Sequence, residues 1–319
     1  MAASYLALLV TAFSWALSHP LGRLSVQQVH PMQLAALNLT IGFICLGVVL
    51  LVTGKFGRIF RMSLKDILGS LSLGVFGFFF YQYCTFLALA HIPASMNAVL
   101  ISSNVIIIVL LSTVFLKEPI RPLAILGVFL SLAGVVIVTF NRGFSMAERW
   151  DLTGCAFSFA AAAAFAFYTV AGKKILSRND PLHVATLALL SGAIILLLLC
   201  GVTIGFQQLK SFSGHTWGLV LLLGVTSIGL AYPLYFPSLK KLPASAVSVF
   251  LNIIPVIAVF LSLLILRERF AWPFWLGCAL VVGGVGSFNL AGGTEGSRLR
   301  TGVRTAAEQN YRLPSEPRK

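Results

Sequence analysis

Pro93-Ala94-Ser95 opens an apolar run that ends in Leu116-Lys117-Glu118, and 150 positions later Pro243-Ala244-Ser245 opens a second run that ends in Leu266-Arg267-Glu268. The correspondence extends without a gap on both sides: Phe86 with Phe236, Leu89 with Leu239, Val109 with Val259, Ser112 with Ser262, Gly127 with Gly277, Gly134 with Gly284. About 17 of the 54 positions from 86 to 139 are identical to their partners. Matches among Leu and Val follow from composition alone. A shared Pro-Ala-Ser, a shared glutamate and paired glycines at one offset do not, and the chain reads as a duplication.

Of the 319 residues 58% are apolar and only 10% charged, with a mean hydropathy of +0.94. A soluble domain carries about a quarter of its residues as charges. This composition specifies a polytopic membrane protein, and the repeated apolar segments are long enough to cross a hydrocarbon core about 30 Å thick as helices. A barrel of short alternating strands is not indicated. Met1-Ala-Ala-Ser-Tyr5 places no Lys or Arg before the first apolar run, so that run is expected to stay as a helix and not to be removed as a signal peptide. Cys45, Cys84, Cys155, Cys200 and Cys278 lie in apolar runs without metal-ligand spacing and read as small core residues.

Ten segments follow, at roughly 4–22, 32–53, 67–90, 94–116, 122–140, 152–172, 182–206, 216–239, 243–266 and 272–291. Pro31 and Pro181 start the second and seventh, as Pro93 and Pro243 start the fourth and ninth. With the N-terminus in the cytoplasm, the inside loops carry Lys55, Arg58, Arg61, Lys65, Lys117, Arg121, Lys173, Lys174, Arg178, Lys240 and Lys241, 11 against 6 outside. The six basic residues of the tail raise this to 17 against 6, so both termini are expected in the cytoplasm. Five segments per copy is an odd number, so the copies enter the membrane from opposite sides. The expected architecture is an all-α membrane protein of ten transmembrane helices in two inverted five-helix repeats, residues 1–140 and 151–291. Residues 292–319 form a disordered basic cytoplasmic tail. Short loops and the lack of a targeting segment lean toward a bacterial inner membrane.

Two five-helix halves, each with Pro-Ala-Ser opening its fourth helix, a glutamate closing it and a Gly-rich fifth helix, resemble the drug/metabolite transporter superfamily in its EamA-like branch. The second half carries the resemblance best, through Gly229-Leu-Ala-Tyr232, Leu239-Lys-Lys-Leu-Pro243-Ala-Ser245, Asn252-Ile-Ile-Pro255, Arg267-Glu268-Arg269, Gly277 and Gly283-Gly284. Two departures stand in the first half: Val105 where the copy has Pro255, and Trp15-Ala16 where the family often has Trp-Gly. The resemblance implies alternating-access transport of small organic solutes, often export, at a site between the halves.

No Asp, Glu, Lys or Arg lies inside a segment away from its ends, which argues against a carboxylate proton relay. His19 is the ionisable side chain well inside a segment, about 9 Å beyond its middle at about 1.5 Å per residue; it is a candidate for solute or proton binding, or else a hydrogen-bonded interface histidine. Ser245, Ser248 and Asn252 share one helical face, and their equivalents are Ser95, Ala98 and Ser102. Asn252 and Ser102 fall near mid-membrane, where an amide or hydroxyl needs a partner: a solute, or another helix. Asn97 and Asn104 lie on a different face and read as ties between helices. Pro255 frees the carbonyl of Leu251 and makes a notch, a hinge or a packed kink. Tyr232 and Tyr235 share a face, with Gln82 and Thr85 as equivalents and Tyr81 beside them. Their rings and polar tips suit a cavity for an organic solute, or an interface belt. Trp15 and its equivalent Phe165 stand near helix centres as cavity walls or core. Glu118 and Glu268 read as structural, holding a loop or gate through Lys117, Arg121, Arg267 or Arg269. Ala160–Ala164 and Gly277, Gly283, Gly284 and Gly286 read as close-packing positions.

These readings favour a carrier, an exporter of small neutral or zwitterionic metabolites such as amino acids. A multidrug carrier fits the same aromatic walls. A carrier of phosphorylated solutes fits less well, because Lys173, Lys174, Lys240 and Lys241 all stand at the cytoplasmic edge. There is no HExxH, GxSxG or intramembrane Asp for an enzyme. A non-transporting scaffold or channel is the alternative from another class. The expected partners are a small-molecule substrate and the lipid bilayer, with no cofactor, no metal, no nucleic acid and no required oligomer.

Overall fold

The computed structural model describes residues 2–116, 122–140, 152–241, 253–284 and 286–287. Among them there is no strand. We number the helical segments α1 (Ala2–Val26), α2 (Pro31–Val52), α3 (Leu64–His91), α4 (Ala94–Ile101 and Asn104–Leu116), α5 (Pro122–Phe140), α6 (Leu152–Arg178), α7 (Pro181–Thr203), α8 (Gly214–Lys241), α9 (Ile254–Leu266) and α10 (Trp272–Gly284). Seven of these are long and apolar enough to cross a membrane, and the described parts of α5, α9 and α10 are shorter apolar helices. Leu51, Phe129, Leu198, Phe260 and Leu264 project large apolar side chains from the outside of the bundle, an arrangement that suits lipid as the solvent.

Local structure repeats with the sequence. Pro31 and Pro181 stand in the first turns of α2 and α7, where the missing N–H has no intrahelical partner to lose, behind caps in which His30 accepts from Met32 N and Asp180 from Leu182 N. Both helices end in a left-handed glycine, Gly54 at φ 65° and Gly205 at φ 69°, a conformation only glycine takes without cost. In the middle of α3 the backbone relaxes into a π turn over Val75–Phe80, and α8 does the same over Val225–Leu230 at the same 150-residue offset.

The copies interlock. α1 packs on the C-terminal part of α8 and on α9, while its equivalent α6 packs on the C-terminal part of α3 and on the second half of α4. The first turns of α3 lean on α7 and those of α8 on α2. The exchange reaches single atoms: Gln33 Nε2 donates to the carbonyl of Gly205 at 3.0 Å, and His183 Nε2, 150 positions later, lies 3.1 Å from the carbonyl of Lys55. Ser131 Oγ donates to the carbonyl of its own equivalent, Val281. A two-fold relation between the copies therefore runs between α5 and α10. There the backbones touch: a Cβ on Gly134 would stand 2.6 Å from the carbonyl oxygen of Gly277, and one on Gly284 2.5 Å from that of Gly127. Gly283 and Gly286 have nothing within 4 Å of such a Cβ, so the close-packing role read for all four glycines belongs to Gly277 and Gly284.

One expectation changes. The fourth segment is not one continuous helix, because Ser102 and Ser103 turn their hydroxyls back onto Val99 O and Leu100 O and part it into two pieces. Glu268, read as structural, is buried and reaches across to the other repeat.

Candidate functional site

A narrow cavity opens where the two copies cross, with an empty volume of about 510 Å³ that includes space continuous with its mouth. α1 contributes Trp15, Ser18 and His19; α3 contributes Phe78, Tyr81, Gln82, Thr85 and Phe86; α8 contributes Leu223, Ser227, Ile228 and Tyr232. None of these side chains carries a fixed charge.

The π turns shape the walls. An i to i+5 turn loosens the helical ladder, and the carbonyl of Ser227 in the second π turn accepts the indole N–H of Trp15 at 2.9 Å. That bond fixes the indole in a ring cluster, 5.7 Å from Tyr232 and 5.1 Å from Tyr235 between centroids. In the first π turn the equivalent of Ser227 is Gly77, and a Cβ there would meet the Tyr168 ring at 2.5 Å. Gly77 thus lets α6 press Tyr168 against Phe78, at 5.3 Å. From Trp15 the rings run through Tyr232, Phe78, Tyr168 and Phe165 to Tyr81, each within 6.2 Å of the next. This arc starts at Trp15 and reaches its repeat equivalent, Phe165.

Of the candidates read from sequence, Tyr232, Gln82, His19, Trp15 and Tyr81 are brought together on this cavity. Tyr235 stands behind it, against Trp15 and Phe236. Ser102 lies at the break in α4, bonded to Val99 O at 2.6 Å, and is not among the lining residues. Pro255 is buried in the first turn of α9. Asn252 and Ser248 lie outside the described residues, as does Glu118. Asn97, read as a tie between helices, is fully buried and joins His19 on α1 to Ser158 on α6, at 3.2 Å and 2.8 Å. Asn38 and Tyr168, which the sequence reading did not single out, keep buried polar atoms, Nδ2 and the phenol OH, without a hydrogen bond among the described residues.

The first Pro-Ala-Ser motif is held by the other repeat. Pro93 holds the N-cap position of α4 but has no side chain that could cap, which leaves the N–H groups of the first turn without acceptors. The Glu268 carboxylate supplies them from the other repeat: Ala94 N donates to Oε1 at 2.8 Å, Ser95 N to Oε2 at 3.3 Å, and the Ser95 hydroxyl also to Oε2. A carboxylate at a helix N-terminus also meets the positive end of the helix dipole. Arg267, left-handed at φ 53°, ends α9 and turns the chain immediately before Glu268. Next to this clasp the Arg23 guanidinium donates from the end of α1 to the carbonyl of Leu89.

Comparison with known proteins agrees with the fold. A solved structure 23% identical in sequence superposes with a TM-score of 0.64 over 90% of this chain and 98% of its own. A protein of Archaeoglobus fulgidus described as an uncharacterised transporter is 28% identical over 283 residues, 88% of this chain and 96% of that one. One of Ancylobacter novellus named as the aromatic amino acid exporter YddG is 28% identical over 265 residues, 82% of this chain and 88% of that one. The EamA-like transporter family matches twice, at residues 2–140 and 152–290, either side of the junction that the 150-residue offset predicts. With a cavity between two interlocked copies and both copies matched, this multi-pass membrane protein belongs to the EamA-like transporter family.

Proposed function

We propose that the protein is an alternating-access carrier that exports small neutral or zwitterionic metabolites, aromatic amino acids first among them. The observation that supports this reading is the cavity: an arc of aromatic rings and a few uncharged polar groups, with no fixed charge, at the crossing of the two copies. Rings offer an apolar side chain a wall, and the Gln82 amide and the free side of the His19 imidazole offer a polar head hydrogen bonds, without the desolvation cost of a buried lysine or arginine. The name carried by the Ancylobacter relative points the same way.

In this reading Tyr232, Gln82, His19, Trp15 and Tyr81 contact the solute, and Tyr235 holds Trp15 in place. Ser248, Asn252 and Ser102 belong to the segment-four and segment-nine faces that approach it as the copies rock, with Pro255 as the hinge. The repeats are residues 1–140 and 151–291, inverted in a bacterial inner membrane, with both termini and the basic tail 292–319 in the cytoplasm. The Glu268 clasp then closes the outer end, since the start of α4 and the loop between α9 and α10 both fall on that side.

Uptake of labelled amino acids and other metabolites into proteoliposomes, with and without a proton gradient, tests this. Saturable uptake of an aromatic amino acid that Asn252→Ala and Tyr232→Ala reduce without loss of folded protein is the expected result. Uptake of lipophilic drugs with no amino acid transported would replace it with the multidrug reading.

A further inference from the structure

The hydrogen-bond chain from Ser158 through Asn97 to His19 fixes what the histidine shows to the cavity. Ser158 Oγ lies 2.8 Å from Asn97 Oδ1 and 3.2 Å from the carbonyl of Gly154, and the single hydroxyl proton goes to the nearer acceptor. With its amide oxygen engaged, Asn97 turns Nδ2, which can only donate, toward His19 Nδ1 at 3.2 Å. With the amide assigned in this orientation, Nδ1 accepts and the ring proton sits on Nε2. His19 is 8% exposed and lines the cavity, and its Nε2 makes no hydrogen bond among the described residues. Gln82, also 8% exposed and on the same cavity, keeps its amide unbonded among those residues as well. Two nearly buried donors without acceptors among the described residues share one chamber, and none of its described lining residues is a lysine or arginine.

We propose that His19 Nε2–H and the Gln82 amide form a subsite for the carboxylate of the solute, with Asn97 and Ser158 as positioning residues that hold His19 in the donating tautomer. The proposal rests on the carrier reading above and narrows its substrate class to solutes that combine an apolar, ring-bearing body with one carboxylate. Neutral N–H donors suit such a head, because hydrogen bonds to an ionised acceptor are the stronger kind and the solute itself brings the charge. The arrangement exists once: 150 positions on, His19 is matched by Thr169 and Asn97 by Val247, and 150 positions back Ser158 is matched by Leu8. The subsite is therefore a divergence laid onto the duplicated frame, at the end of the cavity where α1, α4 and α6 meet.

Two measurements test it. Nitrogen NMR of histidine-labelled protein in nanodiscs, assigned by subtracting the His19→Gln spectrum, should show His19 neutral with the proton on Nε2. Ser158→Ala should mix the tautomers, and Ser158→Thr should restore the single one. A proton on Nδ1 in the wild type overturns the proposal. In proteoliposomes the probes are L-phenylalanine, L-phenylalaninamide and phenethylamine. Wild type should prefer the acid, His19→Phe should erase that preference, and Ser158→Ala should raise the KM for phenylalanine about tenfold, the loss of roughly one hydrogen bond to a charged group, while leaving phenethylamine unchanged. Variants that weaken acid and amine equally refute the subsite and leave the carrier standing. A wild type that transports none of the three overturns the substrate reading and the subsite together.

Discussion

Replacing Glu268 by alanine should free the N-terminus of α4. The carboxylate accepts from two backbone N–H groups and a hydroxyl, and Ala94 and Ser95 are both fully buried, so no water is at hand to take its place. A net hydrogen bond to a charged acceptor is worth about 1.5–3 kcal/mol, and an N-cap lost to alanine costs about 0.5–2 kcal/mol. The three contacts share one carboxylate and do not add, so about 3 kcal/mol is the expected loss. It falls only on the arrangement in which the α9–α10 loop and the start of α4 are together, and therefore shifts the balance toward their separation by about a hundredfold. Glu268→Gln keeps an oxygen for one N–H and loses the charge, so its shift should be about tenfold. Hydrogen–deuterium exchange of a peptide spanning Ala94–Ile101 reads this directly: protection of the first amides should fall in the order wild type, Gln, Ala. Ser95→Ala added to Glu268→Ala should cost little more than Glu268→Ala alone, as expected of two residues acting through one contact. Exchange within about twofold of wild type in Glu268→Ala would refute the clasp.

Other substitutions probe other joints. Gly284→Val should lower the melting temperature in detergent, since its Cβ alone would meet Gly127 O at 2.5 Å, and overpacking of this kind costs about 1–3 kcal/mol. Gly283→Ala, with open space at its Cβ, should leave melting unchanged. Trp15→Phe keeps the ring contacts and removes the bond to Ser227 O; a loss of about 1 kcal/mol in stability and a raised KM for aromatic solutes are expected, measured by thermal unfolding and uptake. Gln33→Ala and His183→Ala each delete one of two equivalent ties between α2 or α7 and the loop following its counterpart. Each should destabilise by about 1 kcal/mol, and the double variant by the sum, because the two sites share no partner.

The sequence made the frame legible because a duplication states everything twice. Pro31 and Pro181, breakers at constant offset, located segments that the structure places as read, and Gly277 and Gly284 are the close-packing positions they were read to be. An offset tells which residues are equivalent, however, and not which ones meet. Glu268 was read with its basic neighbours, and the sequence did not show that it also bonds to Ala94, 174 positions away in the other copy. The π turns left no trace, since Val75-Phe-Gly-Phe-Phe-Phe80 and Val225-Thr-Ser-Ile-Gly-Leu230 share only their first residue and neither composition disfavours an ordinary helix. The break in α4 did leave one, the Ser102-Ser103 pair, whose hydroxyls compete for helix carbonyls. Tyr235 shows the limit of face arguments: three residues from Tyr232 on the same side, it packs behind Trp15 and not on the cavity.

Where the copies agree and where they differ then separates skeleton from chemistry. Identical pairs belong to the frame where both members are described, as with the glycines of α5 and α10 that meet backbone to backbone; Ala94, Ser95 and Glu268 show the same for one member each of the Pro-Ala-Ser and glutamate pairs. Differing pairs meet at the cavity: its lining residues Trp15, Ser227 and His19 have Phe165, Gly77 and Thr169 as equivalents, and Gln82 and Tyr232, both on the lining, are equivalents of each other. In the carrier reading, two copies that rock against each other need matched hinges and matched seals, because each end must close as well as the other opens. A solute has a head and a tail and no two-fold axis. A site lying on the axis of the repeats can bind such a molecule in one orientation only if equivalent positions carry different side chains. Trp15 where the other copy has Phe165, and His19 where it has Thr169, are what the proposed carrier of a small polar-headed solute requires of a duplicated chain.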